Sequence, residues 1–352
     1  MNNTIRNAQD FETAKTVNWE TLPASISLRN SWPSIAKLET AESRNVPGLN
    51  PEVRLGGRKR MKFLLYGTVC TIAVFGEIFL CRAETTLEKI ERTGTLVIGT
   101  RTDSPPFAFV NRNNEWVGFS IELVEKTILP VISKRLNKSV KFDRKESTPQ
   151  TRIPLLTSNA VDLIADTMTD TQSRGESVDF SLTFFVTGAQ FLMKSQPSPT
   201  RFYIRHKGIQ SIAGKRIGVQ QGTTSADILR KRVPNAKLLE FTDQLAAFQA
   251  LARGQVEAYA NDGVQLAGLK AKAPKPGDWV IVGEFYSYEP YGMAMRKNDS
   301  DFRHAVNIGL MNAIETGKYF EIYDKWFGPK GEVPYPLSPE VKRFLQMQVM
   351  PK

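Results

Sequence analysis

Few side chains in this 352-residue chain are equipped for covalent or metal chemistry, and that narrows what its charged residues can be for. Both cysteines, Cys70 and Cys81, lie in one apolar segment near the N-terminus, so the chain after Cys81 has no thiol nucleophile, disulfide framework or cysteine-based metal site. Two histidines, His206 and His304, leave no histidine-rich metal site and few candidates for a histidine general base. No metal and no cofactor is implied. What remains is recognition of charge. Arg174 lies between TMTDTQS and the strand VDFS, and a guanidinium fork matches a carboxylate. Gly222-Thr223-Thr224 precedes a helix starting near Ser225; free N–H groups at a helix N-terminus suit a carboxylate, although capping by Thr224 or Ser225 explains the same residues. Thr167 and Thr169 flank Met168 at a strand end, where alternation turns both hydroxyls to one side. Asp262 ends VEAYAND before Gly263, where a turn-forming acid would also fit. Arg101 follows the first strand and Arg152 opens RIPLL; if both face one ligand, a neutral group would leave buried cations unpaired and a carboxylate would be preferred, whereas salt bridging within the fold is the plainer use. A fork, further N–H donors and an anion are together what a free zwitterion requires.

These residues sit on a regular alternation of elements. LEKIERTG (87–94) reads as a helix stopped by Gly94, TLVIGT (95–100) as a strand and TDSPPFAFV (102–110) as a proline-punctuated loop. Residues 117–136 read as a helix interrupted at Pro130, SVKFDRKE (139–146) as a strand, and 152–166 as a short helix followed by a strand. The grammar then repeats: KRIGVQ, the turn QGTT, a helix from Ser225, the strand AKLLEFT, the helix DQLAAFQALARG and the strand VEAYAND. Such alternation predicts an α/β fold of two lobes with covered sheets. GAQFLMK (188–194) and YGMAMRK (291–297) bracket one complete α/β unit, so the chain is predicted to leave the first lobe near 190, build the second, and return near 291 through a two-strand hinge. The boundaries expected are 84–190 with 291–352 for the first lobe and 191–290 for the second. The amphipathic stretch 301–328, broken at Gly317 and Gly328, is predicted to cover the first lobe.

An export signal stands in an unusual place. Arg58-Lys59-Arg60-Met61-Lys62 precedes fourteen uncharged residues (63–76), then Glu77 and IFLCRA (78–83). A basic start, a short apolar run and a small residue before a polar segment predict a signal peptide over 61–83 cleaved after Ala83, hence a periplasmic location. An uncleaved short anchor, a lipoprotein signal using Cys81, and a buried helix are the alternatives. Residues 1–60 are polar and aperiodic, and are expected to be either an over-extended reading frame starting before Met61 or a disordered leader. Lys and Arg number 47 against 36 Asp and Glu, a formal charge of +11, yet the cations are scattered without blocks or nucleic-acid motifs, so no nucleic-acid partner is expected.

Several stretches in order, GTLVIGTRTDSPPFAFV, GFSIELVEKT, RIPLLTSNAVDLIADTMTDTQSRGESVDFS, GKRIGVQQGTTSADIL, YGMAMRK and KWFG, resemble the periplasmic polar amino-acid-binding proteins that serve ABC importers (solute-binding protein family 3). The resemblance covers nearly all of 87–328. It implies a type II periplasmic-binding-protein fold, a monomer that closes on an amino acid, and delivery to a membrane ABC permease without catalysis. It makes Arg174 the α-carboxylate clamp, Thr167 and Thr169 ligand contacts, and Asp262 the acceptor of the ammonium. Through Arg101 and RIPLL the chain looks most like the glutamate/aspartate-binding branch, where those two arginines meet the side-chain carboxylate. Two residues depart from the branch: Pro149 stands where a serine is usual, and Gln244 where a histidine is usual. Both remove polar or cationic contacts to the distal carboxylate. Phe107 is expected against the ligand's aliphatic part, or else in the core. The rival reading is a dehydratase of aromatic amino-acid biosynthesis on the same fold, which would need a general acid in the cleft; Asp262 is the acid that stands out there.

Overall fold

The computed structural model of the chain describes residues 84–195 and 205–351; the leader and signal segment predicted over 1–83 lies outside the described residues. The alternating pattern forms two five-stranded sheets of the same plan. In the first, Thr95–Thr100 lies between Lys141–Glu146 and Leu163–Ile164, all three parallel. Ala294–Arg296, the returning strand, then runs antiparallel to both Leu163–Ile164 and Val178–Phe180. In the second, Arg216–Gln220 lies between Lys237–Phe241 and Ala258–Asp262, again parallel, and Ala189–Lys194 runs antiparallel beside Ala258–Asp262 and Trp279–Val282. The first lobe therefore closes on a strand from the far end of the chain. A two-stranded ribbon, Phe185–Thr187 against Glu289–Tyr291, carries both crossings between the sheets. The predicted two-lobed α/β architecture is present.

Strand periodicity explains the cores. In Ala189–Lys194, Phe191 and Met193 face one layer and Leu192 the other; in Ala258–Asp262, Ala258 and Ala260 face one and Tyr259 the other. Helix Thr224–Arg232 covers the first face with Ala226 and Leu229, and Gln244–Ala252 and Gly263–Lys272 cover the second with Ala247, Leu251 and Leu266. Sheets apolar on both faces are what parallel crossovers produce.

Local signals behave as their chemistry dictates. Thr85 and Glu88 form a reciprocal capping box on helix Thr86–Thr93, and Gly94 ends it in the left-handed region. The segment around Pro130 is bent in register and not broken: Val124–Ile128 forms a π-helical turn between Phe119–Leu123 and Leu129–Arg135, so the helix passes a residue that has no N–H to donate. Helices Ser300–Glu315 and Lys318–Phe327 are separated at Gly317 and pack Phe302, Leu310, Tyr319 and Phe327 onto the first lobe. A further helix, Pro339–Met347, unanticipated from sequence, adds Leu345 to that core. Among the described residues no helix is long and apolar enough to cross a membrane.

The hinge ribbon is rooted in an aromatic cluster. Phe185 and Tyr291, one on each ribbon strand, stack at 5.9 Å, and Phe327 lies 5.1 to 5.2 Å from Phe185, Phe107 and Phe119. Phe327 is fully buried. Phe327→Ala is expected to cost about 3–5 kcal/mol of stability by leaving a cavity among these rings; urea unfolding measures it, and a loss under about 1 kcal/mol would mean the rings can collapse to fill the space.

Candidate functional site

A cleft opens between the lobes where the parallel strands end, the place such sheets reserve for ligands. Arg101, Pro149, Arg152, Thr167, Thr169 and Arg174 line it from one side, and Thr223, Thr224, Asn261, Asp262 and Gln265 from the other. Nine of the residues singled out from sequence, Pro149 among them, thus face one small space, brought there from positions up to 161 residues apart (101 to 262).

Arg174 sits on the helical turn Gln172–Gly175, and its backbone N–H donates to the Thr171 hydroxyl at 3.3 Å. Its Nη1 donates to the Thr169 carbonyl at 2.7 Å and its Nη2 to the Gly222 carbonyl of the other lobe at 3.2 Å. Burial pulls its pKa down, against the raising effect of Glu289, Asp166 and Asp262. Gly222 is required here: its φ of +71° lies in the left-handed region, and a Cβ would stand 3.1 Å from the Pro149 backbone. Helix Thr224–Arg232 follows, capped by Thr223 (not Thr224 or Ser225), whose hydroxyl accepts from the Ala226 N–H and donates to the Gln220 carbonyl at 2.7 Å. The first N–H groups of that helix have no intrahelical partner.

Arg152 is buried on the same wall of the cleft as Thr167. Its Nη1 reaches Asp166 at 3.2 Å and the Thr167 carbonyl at 3.3 Å, while its Nε has no partner among the described residues. Burial, together with the charges of Arg174 and Arg101, lowers its pKa to about 10 in spite of Asp166. The Thr167 hydroxyl is likewise buried without a partner among the described residues. Two unsatisfied donors on one wall of a cleft are costly unless an acceptor arrives.

Asp262 ends strand Ala258–Asp262, and its Oδ2 accepts from the Tyr291 hydroxyl and from Gln265 Nε2. Burial and the neighbouring Glu289 carboxylate raise its pKa to about 7, against Tyr291, Gln265 and Arg174. Glu289 is the residue that sequence reading missed. It lies on the hinge ribbon, is 1% exposed, and its Oε2 accepts from the hydroxyls of Thr169 at 2.6 Å and Thr224 at 2.8 Å. Those hydroxyls have given their protons to Glu289, so they turn lone pairs, not donors, toward the cleft. The polar end of the site is therefore rich in acceptors, which suits an ammonium. The available signal was Glu289 two residues before Tyr291 in a strand, on one face with it. The expectation that Asp262 alone would stand out as a cleft acid is corrected by Glu289 and by Asp166, both buried.

Two predicted contacts do not line the cleft. Phe107 is in the aromatic core, edge-on to Phe119, Phe185 and Tyr291, because the strand Ala108–Val110 pairs back on Asp103–Ser104 and turns the ring inward. Gln244, the first residue of helix Gln244–Ala252, stands one layer back: its Nε2 donates to the Asp103 carbonyl and its Oε1 accepts from Asn261 at 3.5 Å. Among the described residues no cluster of His, Cys, Asp and Glu fit to hold a metal occurs.

Residues 96–329 match the family of bacterial extracellular solute-binding proteins, family 3. The chain belongs to this family. An L-glutamate/L-aspartate-binding protein of Pseudomonas aeruginosa is 32% identical over 271 residues, spanning 74% of this chain and 87% of that protein. The ABC transporter glutamine-binding protein GlnH of Bacillus subtilis is 32% identical over 243 residues, 68% of this chain and 84% of that one. An ancestral arginine-binding protein solved with glutamine bound superposes with a TM-score of 0.59 at 34% identity, covering 67% of this chain and 98% of that one. Relatives of this family solute-binding protein thus differ in ligand at equal similarity, and the family assignment carries the fold and the amino-acid-binding class without fixing the side chain.

The Asp262 carboxyl gives the site a pH signature. Its unfolded value is 3.8 and its folded value about 7. Between these the folded protein holds a proton that the unfolded chain has released, so the ligand-free protein should lose stability as pH rises from about 4 to about 7. An ammonium placed against Asp262 would need the ionised acid. Affinity for an amino acid should therefore fall as pH drops below about 7, approaching tenfold per pH unit, with a proton released on binding. Calorimetry in buffers of different ionisation enthalpy counts that proton; a pH-independent affinity would show that Asp262 is already ionised.

Proposed function

We propose that this protein is an exported, non-enzymatic solute-binding protein that captures an amino acid with an acidic side chain, glutamate or aspartate, and delivers it to an ABC permease. One observation carries the reading: Arg174, on one lobe, and Asp262 with its acceptor-rich surroundings, on the other, face the same cleft. A zwitterion satisfies both ends at once, its α-carboxylate on the Arg174 fork and the free N–H groups of helix Thr224–Arg232, its ammonium on Asp262, Thr169 and Thr224. The idle donors of Arg152 and Thr167 support a second acceptor on the ligand. Export through the 61–83 segment and cleavage after Ala83 complete the proposal, as does division of the lobes near residues 190 and 291.

Binding on this reading is closure. Arg174 and Gly222, Ser104 and Gln265, and Gln150 and Gln221 hydrogen-bond directly across the lobes. Ligand contacts spread over both sides favour the arrangement in which all of them are made. Gly268 leaves no room for a side chain where the lobes meet: a Cβ there would stand 2.1 Å from the Pro105 carbonyl oxygen of the other lobe.

Arg174→Ala is expected to abolish binding of glutamate and aspartate in calorimetry, whereas Arg152→Ala should retain binding of neutral amino acids and lose the acidic preference. Normal affinity in Arg174→Ala would refute the clamp. Gly268→Ala, a favourable change within a helix taken alone, should leave the fold intact and weaken affinity by roughly tenfold or more, because the methyl group obstructs closure. An unaltered affinity would mean that the lobes close without this contact.

A further inference from the structure

The side-chain end of the cleft holds two arginines that are not equivalent. Arg101 is 2% exposed, and a guanidinium has five N–H groups. Asp103 takes the Nε edge as a bidentate pair, Nε to Oδ1 at 2.8 Å and Nη2 to Oδ2 at 2.9 Å. Gln220, on the other lobe, accepts the remaining Nη2 proton at 3.0 Å. That leaves Nη1 alone for a ligand. Asp103 is itself fixed from the second lobe, where Gln244 donates its Nε2 to the Asp103 carbonyl and its backbone N–H approaches Oδ2 at 3.4 Å. Burial opposes the charge of Arg101, and Asp103 more than restores it, so the guanidinium stays a cation with its partner already chosen. Arg152 differs: Asp166 and the Thr167 carbonyl occupy only Nη1, and Nε is idle.

We infer that Asp103 is a specificity-determining residue: by occupying the fork of Arg101 it leaves Arg152 to present the open fork, and so sets how strongly a second carboxylate is preferred over an amide. This rests on the amino-acid-binding reading above. Asp103 acts through Arg101 and not by touching the ligand, since it lines the wider mouth beside Pro105 and Phe109 and not the narrow cleft. With Asp103 and Asp166 each matched to an arginine, the side-chain end is electrically balanced. A distal carboxylate entering it gains one open fork, and an amide pays a smaller penalty than it would against two unanswered cations.

The test is the ratio of glutamate to glutamine affinity, measured by calorimetry at one pH and salt concentration on the parent, Asp103→Asn, Asp103→Ser and the double variant Asp103→Asn/Arg101→Gln. Freeing Arg101 should raise the ratio roughly tenfold or more in each single variant, and removing the freed cation in the double variant should return it near the parent value. If Asp103→Asn fails to fold, by circular dichroism, Asp103→Ser carries the comparison. A ratio unchanged within about threefold, or an equal loss of affinity for both ligands, overturns the inference and leaves the binding reading standing. Absence of amino-acid binding in the parent protein is a different result: it overturns the reading of function, and the inference with it.

Discussion

Three arginines line the cleft with Asp262, and Asp103, Asp166 and Glu289 stand around it as their partners and neighbours; the cost of leaving any one of these charges unanswered governs the site. Arg101 and Asp103 answer one another, and Arg152 is half answered by Asp166. Arg174 has carbonyl partners and, among the described residues, no carboxylate in hydrogen-bonding contact. Burial and the charge of Glu289 raise the cost of ionising Asp262, relieved by the Tyr291 hydroxyl and the Gln265 amide. The unmet demands are therefore an acceptor near Arg174 and Arg152 and a cation near Asp262. A buried charge without a partner costs more than a pair gains, so the site is selective before it is strong.

The scaffold makes this possible by bringing strand ends together. Arg101, Thr167 and Thr169 follow parallel strands of one sheet; Gln220 and Asp262 end parallel strands of the other. Each sheet is apolar on both faces, which fixes the strands rigidly, while the loops beyond their ends are free to carry charge. The chain's departure and return through one ribbon sets the two sets of ends face to face without a further connection.

Much of this was legible because it depends on short-range chemistry. The helix stop at Gly94, the helix beyond Gly222-Thr223-Thr224, the strand ending at Asp262 and the polar turn holding Arg174 are each written within a few residues. The alternation of strands and helices gave the two lobes. What was not legible depends on partners far away in sequence. Glu289 owes its place to Thr169, 120 positions before it, and Thr224, 65 before it. Phe107 could face a ligand or a core equally well by sequence, and the packing of Phe185, Tyr291 and Phe327 decides for the core. Gln244 occupies the position of a ligand contact in the resembling branch, yet its amide is spent on the Asp103 carbonyl, a pairing that exists only once the lobes meet.

The hinge ribbon and the acid-bearing end of the cleft are one piece of structure. Glu289 and Tyr291 stand on the same face of the strand Glu289–Tyr291, one bonded to Thr169 and Thr224, the other to Asp262. Tyr291 also stacks on Phe185 across the ribbon, so its hydroxyl cannot follow Asp262 unless the ring cluster moves with it. Two carboxylates held this close repel each other, and an ammonium placed beside them turns that repulsion into attraction on both sides of the cleft. Closure and charge recognition then draw on the same contacts, because the strand that must bend between the lobes is the strand that carries the acid.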